Sequence, residues 1–243
     1  MKSCRSPNRR GGRAQRERLG VRPKVTVVAV AGGSGSGKTW LARNLQKRLG
    51  TRAGILSMDD FYRDLSHLPK KQRDRVDFDD PHSIEWGLFD ACLGAIRRSG
   101  DVIVPRYSFK SHTRRQRGRK WQPRPFGIVE GLWAWSRRGL ERHYALKVFL
   151  DGSEQTRLAR RMRRDTMERA RTRESVASQW TQHVQPNYVR FVSCQKDRAD
   201  VVLGEDFSEG DVDAIVQEIK ARSGRSRSNL RNRSRQNCRP GCT

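Results

Sequence analysis

The feature that most constrains the fold is a junction between an apolar run and a glycine-rich octapeptide. Residues 25–31 read VTVVAVA, residues 32–39 read GGSGSGKT, and a helix-like segment begins directly afterwards. In the spacing G-x-x-x-x-G-K-T, the glycines let successive backbone N–H groups point into one concavity, behind which the next helix adds its positive dipole end. The junction therefore predicts a strand, an anion-binding loop and a helix. The alternative is a flexible Gly/Ser-rich linker.

Every residue of the octapeptide is a candidate ligand of a nucleoside triphosphate, either ATP or GTP. Lys38 is expected to reach the β- and γ-phosphates, and the Thr39 hydroxyl is expected to ligate Mg²⁺. The other candidate phosphate-binding residues are Gly32, Gly33, Ser34, Gly35, Ser36 and Gly37.

The 243 residues include 52 Lys and Arg against 26 Asp and Glu, and the net charge of +26 is concentrated at the two ends. Residues 1–24 hold nine Lys/Arg and one Glu, and residues 220–243 hold eight Lys/Arg and no acid. Such segments bury too little apolar surface to offset the entropy of ordering. We expect a disordered basic arm at 1–22, one P-loop domain at 23–220 and a disordered basic tail at 221–243. The ends would either bind nucleic acid non-specifically or act only as solubilising tails.

No membrane association is expected. No apolar run approaches the roughly 18 residues that a membrane span needs, and residues 1–24 lack the apolar region of a signal peptide. The five cysteines are odd in number and scattered, which is typical of reduced thiols. We therefore expect a cytoplasmic protein.

Short apolar runs alternate with longer amphipathic stretches along the chain, which predicts an α/β fold. The expected architecture is a mostly parallel five-stranded sheet with helices on both faces. Its ligands would bind at the carboxyl ends of the strands. The apolar runs are 25–31, 54–56, 102–104, 127–129, 146–150 and 199–203. The amphipathic stretches are 38–49, 83–98, 153–170, 173–195 and 210–222.

Acidic residues follow several of these runs, where they are expected to share a crevice with the glycine-rich loop. They are Asp59, Asp60, Glu130 and Asp151. Glu130 is a candidate Mg²⁺ ligand opposite Thr39, and the alternative is an acid at a helix N-terminus. Asp59 is the candidate to accept the proton of an attacking hydroxyl or to share the metal, with Asp60 as its competitor. For either aspartate the alternative is a helix N-cap.

An arginine-rich stretch at 156–173 predicts a lid over the phosphates. It holds eight arginines, of which Arg157, Arg161 and Arg164 fall on one helical face. Guanidinium groups bind phosphate oxygens in a fork and would stabilise the charge of a phosphoryl-transfer transition state while closing out water. The alternative is a solvated basic face or an RNA-binding helix.

With these motifs in order, residues from about 25 to 203 resemble the uridine kinase family, within the larger group that includes phosphoribulokinase and pantothenate kinase. The motifs that carry the resemblance are GSGSGKT at 33–39, SMDDFY at 57–62, VDFDDP at 76–81, PRYSFKSHTR at 105–114, VEG at 129–131 and the arginine stretch through Gln179. The chain departs from the family pattern at Asp60, where Ser is common, and at Ser108, where Asp is common.

The resemblance implies a role for particular residues of a kinase domain at 23–220. Asp59 would be the catalytic carboxylate near the 5′-hydroxyl of a nucleoside, Asp79 would bind the ribose hydroxyls, and Tyr107 and His112 would meet the pyrimidine. Arg164 would lie on the lid. The nucleoside and phosphate crevice would be lined by Arg161, Arg169, Arg171 and Gln179.

Three hypotheses follow from the sequence. The main one is a kinase that uses ATP or GTP with Mg²⁺ to phosphorylate the 5′-hydroxyl of uridine or cytidine. The second keeps the reaction but changes the acceptor to another small hydroxylated metabolite, such as a sugar phosphate or a pantothenate-like molecule. The third is an RNA-associated P-loop protein that acts through its basic arms. The sequence also leaves a homo-oligomer open.

Overall fold

The computed structural model describes residues 24–169 and 171–236, in which strands and helices alternate as the sequence predicts. The strands are β1 (Thr26–Gly32), β2 (Ala53–Ser57), β3 (Ile103–Val104), β4 (Tyr107–Ser108), β5 (Thr113–Arg114), β6 (Arg119–Lys120), β7 (Phe126–Gly131), β8 (Leu146–Leu150) and β9 (Val201–Leu203). The α-helices are α1 (Lys38–Leu49), α2 (Lys70–Arg73), α3 (Trp86–Arg97), α4 (Glu154–Glu168), α5 (Arg173–Gln179), α6 (Gln185–Asn187) and α7 (Glu209–Gln236).

Five parallel strands form the main sheet, in the order β2-β7-β1-β8-β9. Two antiparallel pairs lie outside it, β3 with β6 and β4 with β5. The predicted α/β fold with a mostly parallel five-stranded sheet is therefore confirmed. Because β1 is central and all five strands run the same way, the loop after β1 lies among the carboxyl ends of its neighbours.

Helices cover both faces of the sheet. Successive side chains of β1 point to opposite faces, so Val28 and Val30 join one apolar core while Val27 and Ala29 join the other. Helices α1 and α7 pack on the first face, through Leu41, Ala42, Leu45, Leu49, Val212, Ile215, Val216 and Ile219. Helix α3 packs on the second, through Phe89, Cys92, Leu93 and Ile96. The helical spacing of these apolar positions holds each helix on the sheet.

The prediction of a buried strand at 102–104 is wrong. Only Ile103 and Val104 form a strand, β3, which pairs with β6 outside the main sheet, and Ile103 is 61% exposed. Arginine side chains instead donate hydrogen bonds to carbonyl groups of β2, the strand at this edge of the sheet. Arg119 Nη2 donates to Ile55 O at 2.8 Å, and Arg124 Nη1 donates to Ala53 O at 3.2 Å. Backbone acceptors that are satisfied in this way need no further strand.

The stretch 173–195 is helical, but it is not one α-helix. Helix α5 ends at Gln179 and is followed by π-helical turns over Trp180–Val184 and Tyr188–Val192, with α6 between them, and by a 3₁₀ segment over Ser193–Arg198. Pro186 lies inside the irregular part and has no N–H to donate, so the regular ladder of hydrogen bonds is interrupted there.

The last helix, α7, continues to Gln236 and so enters the segment where a disordered tail is expected from 221. The basic arm predicted at 1–22 lies outside the described residues, and the division into arm, domain and tail stays a prediction. Of the helices in the part of the chain that the structure describes, none combines the length and the apolar character needed to cross a membrane.

The parallel sheet predicts a contrast between two valines of neighbouring strands. Val148 of β8 is fully buried, whereas Val202 of β9 is 44% exposed. We expect Val148→Ala to lower the free energy of unfolding by about 2 kcal/mol or more, because it removes buried methyl groups and leaves a cavity. The matched control Val202→Ala should cost less than about 1 kcal/mol. Urea unfolding followed by circular dichroism measures both, and equal losses would contradict the assignment of the core.

Candidate active site

The glycine-rich octapeptide forms a closed turn between β1 and α1. Gly35 and Gly37 have φ angles of 82° and 99°, a left-handed backbone that glycine adopts without strain. Lys38 is buried and its Nζ donates to the carbonyl oxygen of Gly33 at 2.7 Å, so the side chain folds back across the loop. The buried Ser36 hydroxyl has no partner among the described residues. A buried lysine, an unpartnered hydroxyl and a helix N-terminus together are suited to a phosphate chain.

Two carboxylates lie beside this loop because of the order of the strands. Glu130 of β7 pairs in register with Val30 of β1 on one side and with Ser57 of β2 on the other. Its Oε2 accepts from Thr39 Oγ1 at 3.3 Å and its Oε1 from Ser57 Oγ at 2.5 Å. Asp59 lies in the 3₁₀ turn Met58–Phe61 that follows β2. The structure thus brings Thr39, Glu130 and Asp59 together, as the sequence predicts.

The charges of this cluster act on one another. Burial lowers the pKa of Lys38 to about 8, although the negative charges of Glu130 and Asp59 oppose the change. Burial, and after it the charge of Glu130, raises the pKa of Asp59 to about 6. The lowered pKa of Lys38 and the raised pKa of Asp59 both mean that the charged form is less stable here than in water. A carboxylate with a pKa just below neutrality is well placed to take up and release a proton.

A second set of interactions links the loop to the lid helix through Arg161. The Arg161 guanidinium is buried and donates from Nη1 to Ser34 Oγ at 3.0 Å and to Asp79 Oδ1 at 3.2 Å. Its Nη2 donates to Gln179 Oε1 at 2.9 Å, an oxygen that also accepts from Arg171 Nη1. Four of the predicted substrate-binding residues therefore meet in one network, with a residue of the loop.

Three lid arginines, including Arg161, converge on one buried acid, Asp165. Arg164 Nε donates to its Oδ1 at 2.8 Å, Arg161 Nε lies 3.4 Å from Oδ2, and Arg169 Nη1 lies 3.5 Å from Oδ1. Burial alone would raise the pKa of Asp165, but the charge of Arg164, its hydrogen bond and the neighbouring arginines lower it below the ordinary value. A permanently charged carboxylate at this point orients three guanidinium groups of α4 and the residue that follows it.

Phe78 and Tyr62 form an aromatic cluster with residues of the β4–β5 hairpin, and we call this cluster the aromatic recess. The His112 ring stacks on Phe78 with centroids 4.7 Å apart, and Tyr107 packs against Tyr62 at 5.2 Å and Phe78 at 6.1 Å. His112 lies in the turn between β4 and β5 with a φ of 51°, the left-handed conformation that a residue other than glycine seldom adopts. Two buried polar atoms, Tyr107 Oη and His112 Nδ1, have no hydrogen-bond partner in the described chain. Each of these two atoms therefore has a hydrogen bond still to make.

The protein family follows from comparison with known proteins. The model of the Phosphoribulokinase / Uridine kinase family matches residues 27–209. The chain belongs to this family. It is 36% identical over 197 residues to a uridine kinase of Chloroflexus aurantiacus, a match that covers 80% of this chain and 94% of that protein. It is 37% identical over 184 residues to a uridine kinase of Deinococcus deserti, which covers 75% and 88% respectively.

Solved structures show the same fold. The phosphoribulokinase from Rhodobacter spheroides aligns with a TM-score of 0.58 at 17% identity, over 75% of this chain and 71% of its own. A D-glycerate 3-kinase from Cryptococcus neoformans aligns with a TM-score of 0.55 at 18% identity, over 76% and 88%. Family membership makes the chain a small-molecule kinase, a P-loop phosphotransferase that acts on a hydroxyl group, and the predicted resemblance is confirmed.

Two other acids at strand ends, Asp60 and Asp151, are held by contacts outside the Thr39, Glu130 and Asp59 cluster. Asp60 Oδ1 accepts from the backbone N–H of Tyr107 at 3.2 Å, so this carboxylate anchors β4. Asp151 follows β8, on the side of β1 away from β7 and β2, and forms an ion pair with Lys196 at 2.6 Å. The competing role that the sequence leaves open for Asp60 is therefore not supported by its contacts.

Arg157 and Asp165 belong to the site but were not among the predicted site residues. Arg157 is 1% exposed, and its Nη1, which has no partner within the described chain, lies 2.6 Å from where a Cβ on Gly33 would stand. Its guanidinium also stacks over Tyr188 at 3.7 Å. The signal in the sequence was the helical spacing of Arg157 with Arg161, which placed both on one face. Asp165 carried no such signal, because an acid among arginines is usual on a solvated helix.

The convergence on Asp165 predicts that it is a positioning residue. We expect Asp165→Asn to lower kcat by about 10- to 100-fold and to raise KM for ATP, because misplaced lid arginines no longer meet the phosphates. Asp165→Glu should restore part of the activity, since it keeps the charge. Steady-state kinetics below the unfolding temperature, with urea unfolding of each variant, measure both effects.

The exposed Asp197→Asn is the matched control for Asp165, and it should leave kcat and KM unchanged. An Asp165→Asn enzyme with normal kinetics and only a lower unfolding midpoint would show that Asp165 stabilises the fold without positioning the arginines.

Proposed function

We propose that the protein transfers the γ-phosphoryl group of ATP or GTP to the 5′-hydroxyl of uridine or cytidine. The curated relatives named as uridine kinases support this choice of acceptor. The observation that carries it is the aromatic recess, where Tyr107 Oη and His112 Nδ1 are buried without partners. Burial lowers the pKa of His112, so its ring is neutral at pH 7 and offers one donor and one acceptor nitrogen. A pyrimidine edge, which also alternates donors and acceptors, matches this pair.

The ribose and the phosphates are assigned to the network around Arg161. Asp79 would accept hydrogen bonds from the ribose hydroxyls while it remains paired with Arg161, because a carboxylate has more acceptor sites than the ion pair uses. Lys38 and the backbone N–H groups of residues 32–39 would hold the β- and γ-phosphates. The transition-state charge would be met by Arg161, Arg164, Arg169 and Arg171.

The oxygen donors beside the loop fit Mg²⁺. Within the described part of the chain no three His, Cys, Asp or Glu side chains cluster closely enough to hold a metal by themselves. Mg²⁺ commonly takes only one or two protein ligands and completes its shell with water and substrate phosphates. Thr39 and Glu130 would hold it, with Asp59 nearby. When bound, the ion neutralises charge on the phosphates and orients them.

Asp59 is assigned the proton transfer. The 5′-hydroxyl oxygen bonds to the γ-phosphorus as the bond from that phosphorus to its bridging oxygen breaks, and the nucleoside diphosphate leaves with the electron pair. The hydroxyl proton passes to the Asp59 carboxylate, which is mostly ionised at pH 7 because its pKa is about 6. Lys38 and the lid arginines stay charged against the leaving diphosphate.

Other features of the prediction rest on the sequence alone. They are the non-specific binding of nucleic acid by the basic ends at 1–22 and 221–243, a homo-oligomer, and a cytoplasmic location.

A panel of acceptors tests the proposed reaction. Uridine and cytidine should be phosphorylated with ATP or GTP, whereas Lys38→Met should lower the rate by about 100-fold or more because the charge on the phosphates is lost. The panel includes a sugar phosphate and pantothenate, which represent the second hypothesis. Phosphoryl transfer to one of these, with none to any pyrimidine nucleoside, would replace the proposed acceptor.

A matched substitution tests the recess itself. Tyr107→Phe removes only the hydroxyl group, so we expect KM for uridine to rise by about 5- to 10-fold with little change in KM for ATP. Isothermal titration with uridine checks whether the change in KM reflects binding. Equal changes in both KM values would show that Tyr107 shapes the hairpin and does not read the base.

The pKa values of the cluster predict a bell-shaped dependence of kcat/KM on pH. Activity should fall as the pH drops through about 6, because Asp59 becomes protonated and cannot accept the hydroxyl proton. It should fall again as the pH rises through about 8, because Lys38 loses its charge in the free enzyme. Asp59→Asn should lower kcat by about 100-fold or more and remove the acid limb. An acid limb near pH 4, the ordinary value for a carboxyl group, would contradict the perturbed environment of Asp59.

A further inference from the structure

A large aromatic side chain stands exposed at the first turn of the helix that follows the phosphate loop. Trp40 is the third residue of α1 and is 45% exposed, although indole rings are usually highly buried. It meets Phe207 edge to face, with ring centroids 5.4 Å apart and an interplanar angle of 67°. The Phe207 ring borders the loop itself, because a Cβ on Gly37 would stand 3.7 Å from Phe207 Cε1. Two segments that are distant in sequence thus place an aromatic pair at one end of the loop.

The order of the strands tells which end of the loop this is. Asp59 follows β2 and Glu130 lies in β7, and both strands are on one side of β1. Phe207 follows β9, the outermost strand on the other side. A triphosphate whose γ-phosphate lies near Asp59 and Glu130 and whose chain crosses the loop therefore has its nucleoside end on the side of Phe207 and Trp40.

One acid of the turn that carries Phe207, Glu205, is engaged in hydrogen bonds. Glu205 Oε2 accepts from Ser153 N at 2.9 Å and from Ser153 Oγ at 2.7 Å, and these bonds lower the Glu205 pKa. Arg160 Nη2 of the lid helix donates to the Glu205 carbonyl at 3.3 Å. A cation of the lid therefore reaches the same turn, and the Glu205 carboxylate is tied to the start of α4. The positive charge of Arg160 beside this turn would favour an electron-rich ring and a nearby phosphate.

We infer that Trp40 and Phe207 form the platform on which the nucleobase of the phosphoryl donor stacks. This inference rests on the proposed function for the identity of the donor as a purine nucleoside triphosphate. Aromatic side chains bind bases through the ring face, which every base has, and not through the hydrogen-bonding edge. The platform therefore accepts adenine and guanine alike, and it supplies a physical reason for donor use that does not distinguish ATP from GTP.

Binding measurements without any acceptor test this platform. The full chain is titrated, with Mg²⁺, against a non-hydrolysable ATP analogue, its GTP counterpart and inorganic tripolyphosphate, in an isothermal calorimeter. Trp40→Ala should weaken both nucleotide analogues by about tenfold or more, because one base loses its stacking partner. Affinity for tripolyphosphate should stay within about twofold, because that probe has no base. Phe207→Ala should act in the same direction.

Trp40→Phe is the matched control, because it keeps a stacking ring. Its affinity for the nucleotide analogues should stay within about threefold of the wild type, since phenyl rings also stack on bases. Nucleotide-induced quenching of indole fluorescence should be smaller in Trp40→Phe than in the wild type, and tripolyphosphate should quench neither. Trp40 is exposed, so these variants are expected to fold, and circular dichroism confirms this.

Two results would overturn the platform. One is an equal loss of affinity for nucleotides and tripolyphosphate in Trp40→Ala, which would mean that the indole only supports the shape of the loop. The other is unchanged binding of every probe. Because no acceptor is present, a protein that binds nucleotides through Trp40 but phosphorylates no pyrimidine nucleoside would retain the platform while the proposed acceptor fails. A wild-type protein that binds neither nucleotide nor tripolyphosphate would overturn both.

Discussion

The burial of cations around the phosphate loop is the constraint on which the rest of the site depends. Lys38, Arg157 and Arg161 are all nearly inaccessible to solvent, although charged side chains are seldom buried without compensation. Each is stabilised by a different set of contacts. Lys38 donates to Gly33 O, Arg157 donates to Gln185 and stacks on Tyr188, and Arg161 is shared by Asp79 and Asp165. These contacts hold positive charge beside the glycine-rich loop, where we propose that a triphosphate binds.

That arrangement explains why a polyanion would be favoured over a neutral ligand. Burial lowers the pKa of Lys38 to about 8 in the free protein, because the charged ammonium group is less stable away from water. A triphosphate supplies the missing negative charge and would raise that pKa again. The unpartnered Arg157 Nη1 and Ser36 Oγ act in the same direction, because each has a hydrogen bond still to make. Binding energy is thereby concentrated on the phosphates, where the reaction takes place.

The sequence predicted the parts of this site that depend on local pattern or on the strand ends. GGSGSGKT gave the loop, and the apolar runs before Asp59 and Glu130 placed both acids at one edge of a parallel sheet, as the register of β2, β7 and β1 confirms. It did not reveal Asp165, whose role comes from burial and not from spacing. It also placed a sheet strand at 102–104, because periodicity in a three-residue run does not show that arginine side chains cover the neighbouring edge.

Contacts of the segment Asp59–Tyr62 join the two halves of the site. Asp59 interacts with the charges of Glu130 and Lys38, and the next side chain, Asp60, accepts a hydrogen bond from the backbone of Tyr107. Tyr62 Oη donates to Phe78 O at 2.9 Å, one residue before Asp79, and its ring packs against Tyr107. A shift of this segment when a base enters the recess would therefore move the Asp59 carboxylate and the turn that carries Asp79 together. Such a link would make proton transfer to Asp59 depend on an occupied recess and would so limit the loss of phosphoryl groups to water.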